Sequence, residues 1–234
     1  MRFHCQTAGV SLTAQQPLNN VVRVAYQAMA AALAGAQSLH TNSLDETLAL
    51  PTEDAVKLAL RTQQVLAYET GVANVMDPLG GSYYVESMTN RLEQEAEDLF
   101  EQINKLGGVV RGIEAGWYQG QIARSALRFQ HEVEQHRRVV VGVNEFTDQD
   151  GEELEILIVS EAADKTQRDR LASLRARRDN GRVEECLAAL REAAECDENV
   201  IPAMLDCARS YCTLYEIRHA LETVYGAYRE PVFF

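Results

Sequence analysis

Two stretches of this sequence group side chains that could do chemistry together. In RFHCQ, residues 2–6, His4 and Gln6 alternate with Phe3 and Cys5, the period of two of a strand. In AQSLHTN, residues 36–42, Gln37, Leu39 and Thr41 share one side of a second such run, and Asn42, Asp45 and Glu46 follow in a loop. Imidazole, amide, hydroxyl and carboxylate groups so grouped can hold a polar ligand by hydrogen bonds. Strand–loop–helix units put ligand-binding groups at the C-terminal ends of strands and in the loops beyond them. Those loops here are Thr7–Gln16 and Thr41–Leu50. The same residue types also cap helices and close turns. Type and spacing leave both roles open.

Other constellations point away from metal and phosphate chemistry. His131 and His136 lie five apart and do not share a helix face. Cys207, Cys212 and His219 lack zinc-site spacing, and DPLGG at 77–81 is neither a dinucleotide fingerprint nor a P-loop. The cysteines number five, with no C-x-x-C pair. This odd count suits reduced thiols at amphipathic core positions and a cytoplasmic setting. Lys plus Arg is 22 against 35 acids, a net charge of −13, which argues against nucleic acid and anionic membrane as partners. No apolar run approaches the ~18 residues of a membrane span.

The elements that must position these groups fall into two zones, 1–75 and 76–234. In the first, strand 2–6 leads through a loop to an Ala-rich helix over Pro17–Leu33, with Val21, Val24, Ala25, Ala28 and Ala32 on one stripe, ended by Gly35. Strand 36–42 then leads to a helix over 52–68 capped by Thr52, with Glu53 and Asp54 in its first turn. Connections of this length suit parallel pairing. Two strands do not make an independent parallel sheet, so the pattern predicts the end of a larger sheet or barrel. In the second zone MDPLGGSYYVES (76–87) reads as turns. Thr89 reads as the cap of a helix whose core stripe is Leu92, Ala96, Leu99, Phe100, Ile103 and Leu106, closed by Gly107-Gly108. Further helices are predicted at 117–136, 164–179, 182–195 and 213–226, the last with Thr213 and Glu216 in capping-box spacing. RVVVGVN (138–144) and LEILIV (154–159) are strand candidates around an acidic turn.

Five segments go further. HCQTAGVSLTAQQPLNNVVR, GAQSLHTNSLDETLALPTE, RTQQVLAYETGV, DPLGGSYYVESMT and VVVGVN together resemble, in order and spacing, the adenosylcobalamin-dependent acyl-CoA mutases. The resemblance extends to the final GAYREPVFF. It implies an α/β fold: about the last two strands of a (β/α)8 TIM barrel, followed by a mostly helical linker region. The family's cobalamin-binding domain and the earlier half of its barrel have no counterpart in this sequence. The resemblance implies that Met1 stands where the family has many residues before it.

Site residues follow one at a time. The glycine of the family's QT-[SA]-G run picks out Gly9, which would lie against the cobalamin. The acid and the alanine of LDE-x-x-A pick out Glu46 and Ala49; Glu46 would face the ribose of the adenosyl group. Gln6 and Gln37 would line the cavity. No D-x-H-x-x-G motif is present, so cobalt would be ligated by a separate small cobalamin-binding subunit or domain. The activity implied is radical isomerisation of an acyl-CoA substrate, in which the carbonyl-CoA group migrates to the adjacent carbon. Methylmalonyl-CoA is the expected substrate, with isobutyryl-CoA or a truncated non-catalytic product as alternatives. This segment would supply no catalytic residue and would be inactive alone.

Overall fold

The computed structural model describes residues 2–148 and 154–229. The chain divides into two compact units, one reaching Leu157 and the other beginning at Ile158.

In the first unit β1 (His4–Gln6) pairs in parallel with β2 (Ser38–His40), His4 opposite Ser38 and Gln6 opposite His40. Between them runs α1 (Asn19–Leu33), and after them α2 (Glu53–Glu69). Helix α1 buries Asn20, Val24 and Ala28 at intervals of four, and α2 buries Ala55, Ala59 and Leu66. The two helices pack on each other, and the small alanines of both permit close approach. Thr52 caps α2 as expected, its hydroxyl accepting from Ala55 N. Gly35 ends α1 with φ 77°, a conformation a β-carbon would strain. The architecture is α/β of mostly helical content, with a two-strand parallel sheet.

Three corrections concern the rest of this unit. Helix α3 runs Tyr83–Lys105 with Ser82 at its N-cap position, seven residues earlier than a Thr89 cap allows. Glu86 lies in its first turn and accepts from Gly81 N, so the turn is closed upstream; the Thr89 hydroxyl instead donates to Val85 O inside the helix. The expected core stripe forms as a face, yet Leu92, Leu99, Phe100 and Leu106 are exposed and α3 buries no residue. Periodicity specifies which side is apolar, and only packing decides whether it is covered. Third, 138–144 is not a strand. The Asn144 side chain accepts from Val140 N and donates to Arg138 O and Val133 O, and Gly142 turns the chain at φ 80°. The segment is folded on itself, with only an isolated bridge between Val141 and Glu145. Helices α4 (Val109–Glu114) and α5 (Trp117–Glu134) complete the unit; α4 was not expected.

The second unit holds α6 (Glu161–Arg177), α7 (Asn180–Glu195), α8 (Ile201–Arg209) and α9 (Leu214–Tyr225). Its core is Cys186, Leu190, Cys207 and Ala220, with Ile217 and Leu221 packed against it. The thiols are free, and burial pushes Cys207 up to about 12. Thr213 and Glu216 form the expected capping box. Residues 154–159 have no regular structure, contrary to the strand expected there, and the acidic turn before them lies outside the described residues. Helix α8 was missed; its signal is Pro202 in the first turn.

Candidate functional site

The two strand ends are cross-tied. Thr7 N extends the pairing to His40 O, the Thr7 hydroxyl donates to Asn42 Oδ1 at 2.6 Å, and Asn42 N donates back to Thr7 Oγ1 at 2.9 Å. Thr7 and Asn42 are 5% and 4% exposed, so this exchange leaves neither side chain's oxygen unsatisfied away from water. Both loops therefore leave the sheet from one fixed point.

Asn42 then organises the site. Its Nδ2 donates to the Glu46 carboxylate, whose Oε1 also accepts from Ser43 N at 2.7 Å. On the other side, a β-carbon at Gly9 would stand 3.4 Å from that same Nδ2. Gly9, Asn42 and Glu46 are thus contiguous, although 33 residues separate Gly9 from Asn42. Gly9 is exposed in a short 3-10 turn and Glu46 is half-buried. Ala49, half-buried, donates its N–H to Asp45 O. Asp45 is 2% exposed; its Oδ2 accepts from Thr52 N and Thr52 Oγ1, tying the loop to the start of α2, while Oδ1 is buried without a partner.

Of the sequence-derived residues, Gly9 and Glu46 both adjoin the Asn42 carboxamide, Ala49 is held in the same loop as Glu46 through Asp45, and the two glutamines do not meet. Gln6 is exposed at the end of β1. Gln37 lies on the opposite side by strand alternation, and its amide is engaged with Phe3 N at 2.8 Å and Gly35 O at 2.6 Å. Thr41 likewise turns to α2, donating to Ala59 O. His4 contacts the Ser38 hydroxyl, and His131 and His136 each face a separate glutamate, Glu134 and Glu145. The residues the sequence reading missed are Asn20 and Arg23. Their signal was a carboxamide on the apolar stripe of α1, four residues before Val24. No helix among the described residues is long and apolar enough to cross a membrane.

Comparison with known proteins gives one consistent answer. The family model described as Methylmalonyl-CoA mutase matches residues 1–227. The chain is 43% identical to the 2-hydroxyisobutanoyl-CoA mutase large subunit of Aquincola tertiaricarbonis, over 100% of this chain and 42% of that one. It is 43% identical to a methylmalonyl-CoA mutase of Rhizobium meliloti, over 97% of this chain and 32% of the relative. It is 39% identical to the mitochondrial methylmalonyl-CoA mutase of Homo sapiens, over 98% of this chain and 31% of the relative. The chain therefore spans about a third to two fifths of the length of these relatives.

Proposed function

Because this chain belongs to the methylmalonyl-CoA mutase family, we propose that its two β/α units form the cofactor-facing wall of an adenosylcobalamin-dependent acyl-CoA mutase. The observation that carries this reading is the contiguity of Gly9, Asn42 and Glu46 beyond the C-terminal ends of two parallel strands. That is where a barrel places its site. Two such strands, with the uncovered apolar face of α3, fit a portion of a larger (β/α)8 domain.

The residues present suit the cofactor. Gly9 offers no side chain and is exposed, so a flat macrocycle could approach its backbone closely. Glu46 uses one lone pair of each oxygen on Asn42 and Ser43, and a carboxylate retains acceptor capacity for two hydroxyls. When bound, cobalamin supplies homolytic radical chemistry that no side chain can. The chain's own part is to hold the carboxylate in place, keep the Gly9 backbone clear and help close the chamber to water. With no D-x-H-x-x-G motif in the sequence, cobalt ligation falls to another domain or subunit.

The reaction proposed for the complete enzyme is interconversion of methylmalonyl-CoA and succinyl-CoA. A 2-hydroxyacyl thioester is a second reading, favoured by the equal identity to the Aquincola large subunit; the isobutyryl alternative gains no added support. The test uses the complete mutase containing this chain. Glu46→Gln should weaken adenosylcobalamin more than hydroxocobalamin, because only the former carries the ribose hydroxyls. A carboxylate–hydroxyl bond contributes ~1.5–3 kcal/mol, so the excess loss should be roughly tenfold or greater. Gly9→Val should weaken both cobalamins alike. Equal losses for the two cobalamins in Glu46→Gln, or none, refute the ribose assignment.

A further inference from the structure

We propose that Asn20 and Arg23 of α1 are positioning residues that set the separation of the two loops carrying Gly9 and Glu46. This role rests on the cofactor-wall reading. Asn20 is 0% exposed, a place a carboxamide occupies only when its polar atoms are paired. Its Nδ2 donates to Thr13 O in the first loop and to Leu44 O in the second, each at 2.9 Å. Its Oδ1 accepts from Thr13 N at 3.0 Å and from Arg23 Nη1 at 2.8 Å. One side chain therefore spans both loops, four residues after Gly9 in one and two before Glu46 in the other.

Arg23 extends the span outward. The same Nη1 donates to Thr13 Oγ1 at 2.8 Å, and Nη2 donates to Val141 O at 2.7 Å. Beside it Gln16 Nε2 donates to Phe146 O and to the Asp148 carboxylate. The folded segment around Asn144 thus clamps the first loop from outside, while Asn20 joins that loop to the second. Among the described residues none of the hydrogen bonds of Asn20 or Arg23 goes to Gly9, Asn42 or Glu46 themselves, so Asn20 acts through the loop backbone at Thr13 and Leu44, and Arg23 through the Thr13 hydroxyl and Asn20. A rigid set of paired polar groups of this kind transmits displacement rather than absorbing it.

The test again uses the complete mutase. Asn20→Asp keeps the volume and the Oδ1 acceptor but turns an oxygen toward the carbonyls of Thr13 and Leu44. It should lower affinity for adenosylcobalamin and hydroxocobalamin alike by roughly tenfold. Arg23→Lys, which cannot span Thr13, Asn20 and Val141 together, should lower both by about threefold. The acyl-CoA KM should stay within about twofold, and kcat should recover at saturating cofactor. A residue that merely holds the fold would lower the melting temperature while cofactor affinity and acyl-CoA KM stayed constant or worsened together; that result overturns the proposal. If Asn20→Asp does not fold, Arg23→Lys decides alone by the same criteria. If Gly9→Val and Glu46→Gln weaken cofactor binding while Asn20→Asp and Arg23→Lys do not, the loop coupling is wrong and the wall stands. If none of the four weakens it, both fall.

Discussion

Replacing Glu216 by Gln should melt the second unit selectively, and its magnitude can be worked from the contacts. The Glu216 carboxylate accepts from Arg178 Nη1 at 2.7 Å and Nη2 at 2.6 Å, and from Thr213 N and Oγ1 at 2.7 and 2.9 Å. The Arg178 side chain is only 6% exposed and that of Glu216 21%. Arg178 also donates to the carbonyl of Tyr211, a residue held at φ 61° between α8 and α9. A glutamine has one acceptor oxygen for these four donors and leaves the guanidinium without a counter-charge. Breaking a buried pair on one side costs about 3–5 kcal/mol. The remaining exposure of Glu216 and the acceptor that Gln retains place the expectation near the lower end, about 3 kcal/mol. Against a core built on the small cluster of Cys186, Leu190, Cys207 and Ala220, that is a large fraction of the stability of α7–α9. Hydrogen exchange read by mass spectrometry on α7 and α9 peptides of the whole chain measures it without assuming one global transition. The pH arm is independent. The Arg178 hydrogen bonds and those from Thr213 hold Glu216 at about 2 against an ordinary 4.5. Since the folded value is the lower one, the contribution is complete above about pH 4.5 and is lost as pH falls towards 2, up to ~3 kcal/mol in all. A change under ~1 kcal/mol in Glu216→Gln, or the same acid dependence in variant and parent, would refute the reasoning.

Two further outcomes are expected. Gly142→Ala should cost about 1–2 kcal/mol, because φ is 80° and the new β-carbon would stand 2.8 Å from Gln16 Oε1; faster exchange at residues 140–146, with α2 unaffected, is the signature to look for. At pH 8 a maleimide should label the exposed Cys196 first and Cys207 only as α7–α9 opens, since burial raises that thiol to about 12; labelling of Cys207 as fast as Cys196 in the folded chain would contradict it.

What the sequence determined by itself is what a few neighbouring residues decide. The Thr52 cap, the Thr213–Glu216 capping box, the glycine after α1 and the period-two runs of both strands depend on partners within about four positions. They were legible from type and spacing, and the long ordered motifs pointed to the family. Of the candidate site, Gly9, Glu46 and Ala49 could be named by matching those motifs, but not what brings Gly9 and Glu46 together. That is settled by Asn42, which reaches Glu46 at close sequence range and Thr7 across 35 residues. Where local patterning misled, a tertiary or turn contact had prevailed: Glu86 closed the start of α3, Asn144 folded an apparent strand, and the α3 stripe stayed uncovered. The Asn20 span and the Arg178–Glu216 pair join residues 24 and 38 positions apart. No periodicity encodes such pairs, because loop closure costs only slightly more as the intervening chain lengthens, and burial then makes the partner obligatory. The path of the chain, and not its local composition, decided which polar groups had to meet.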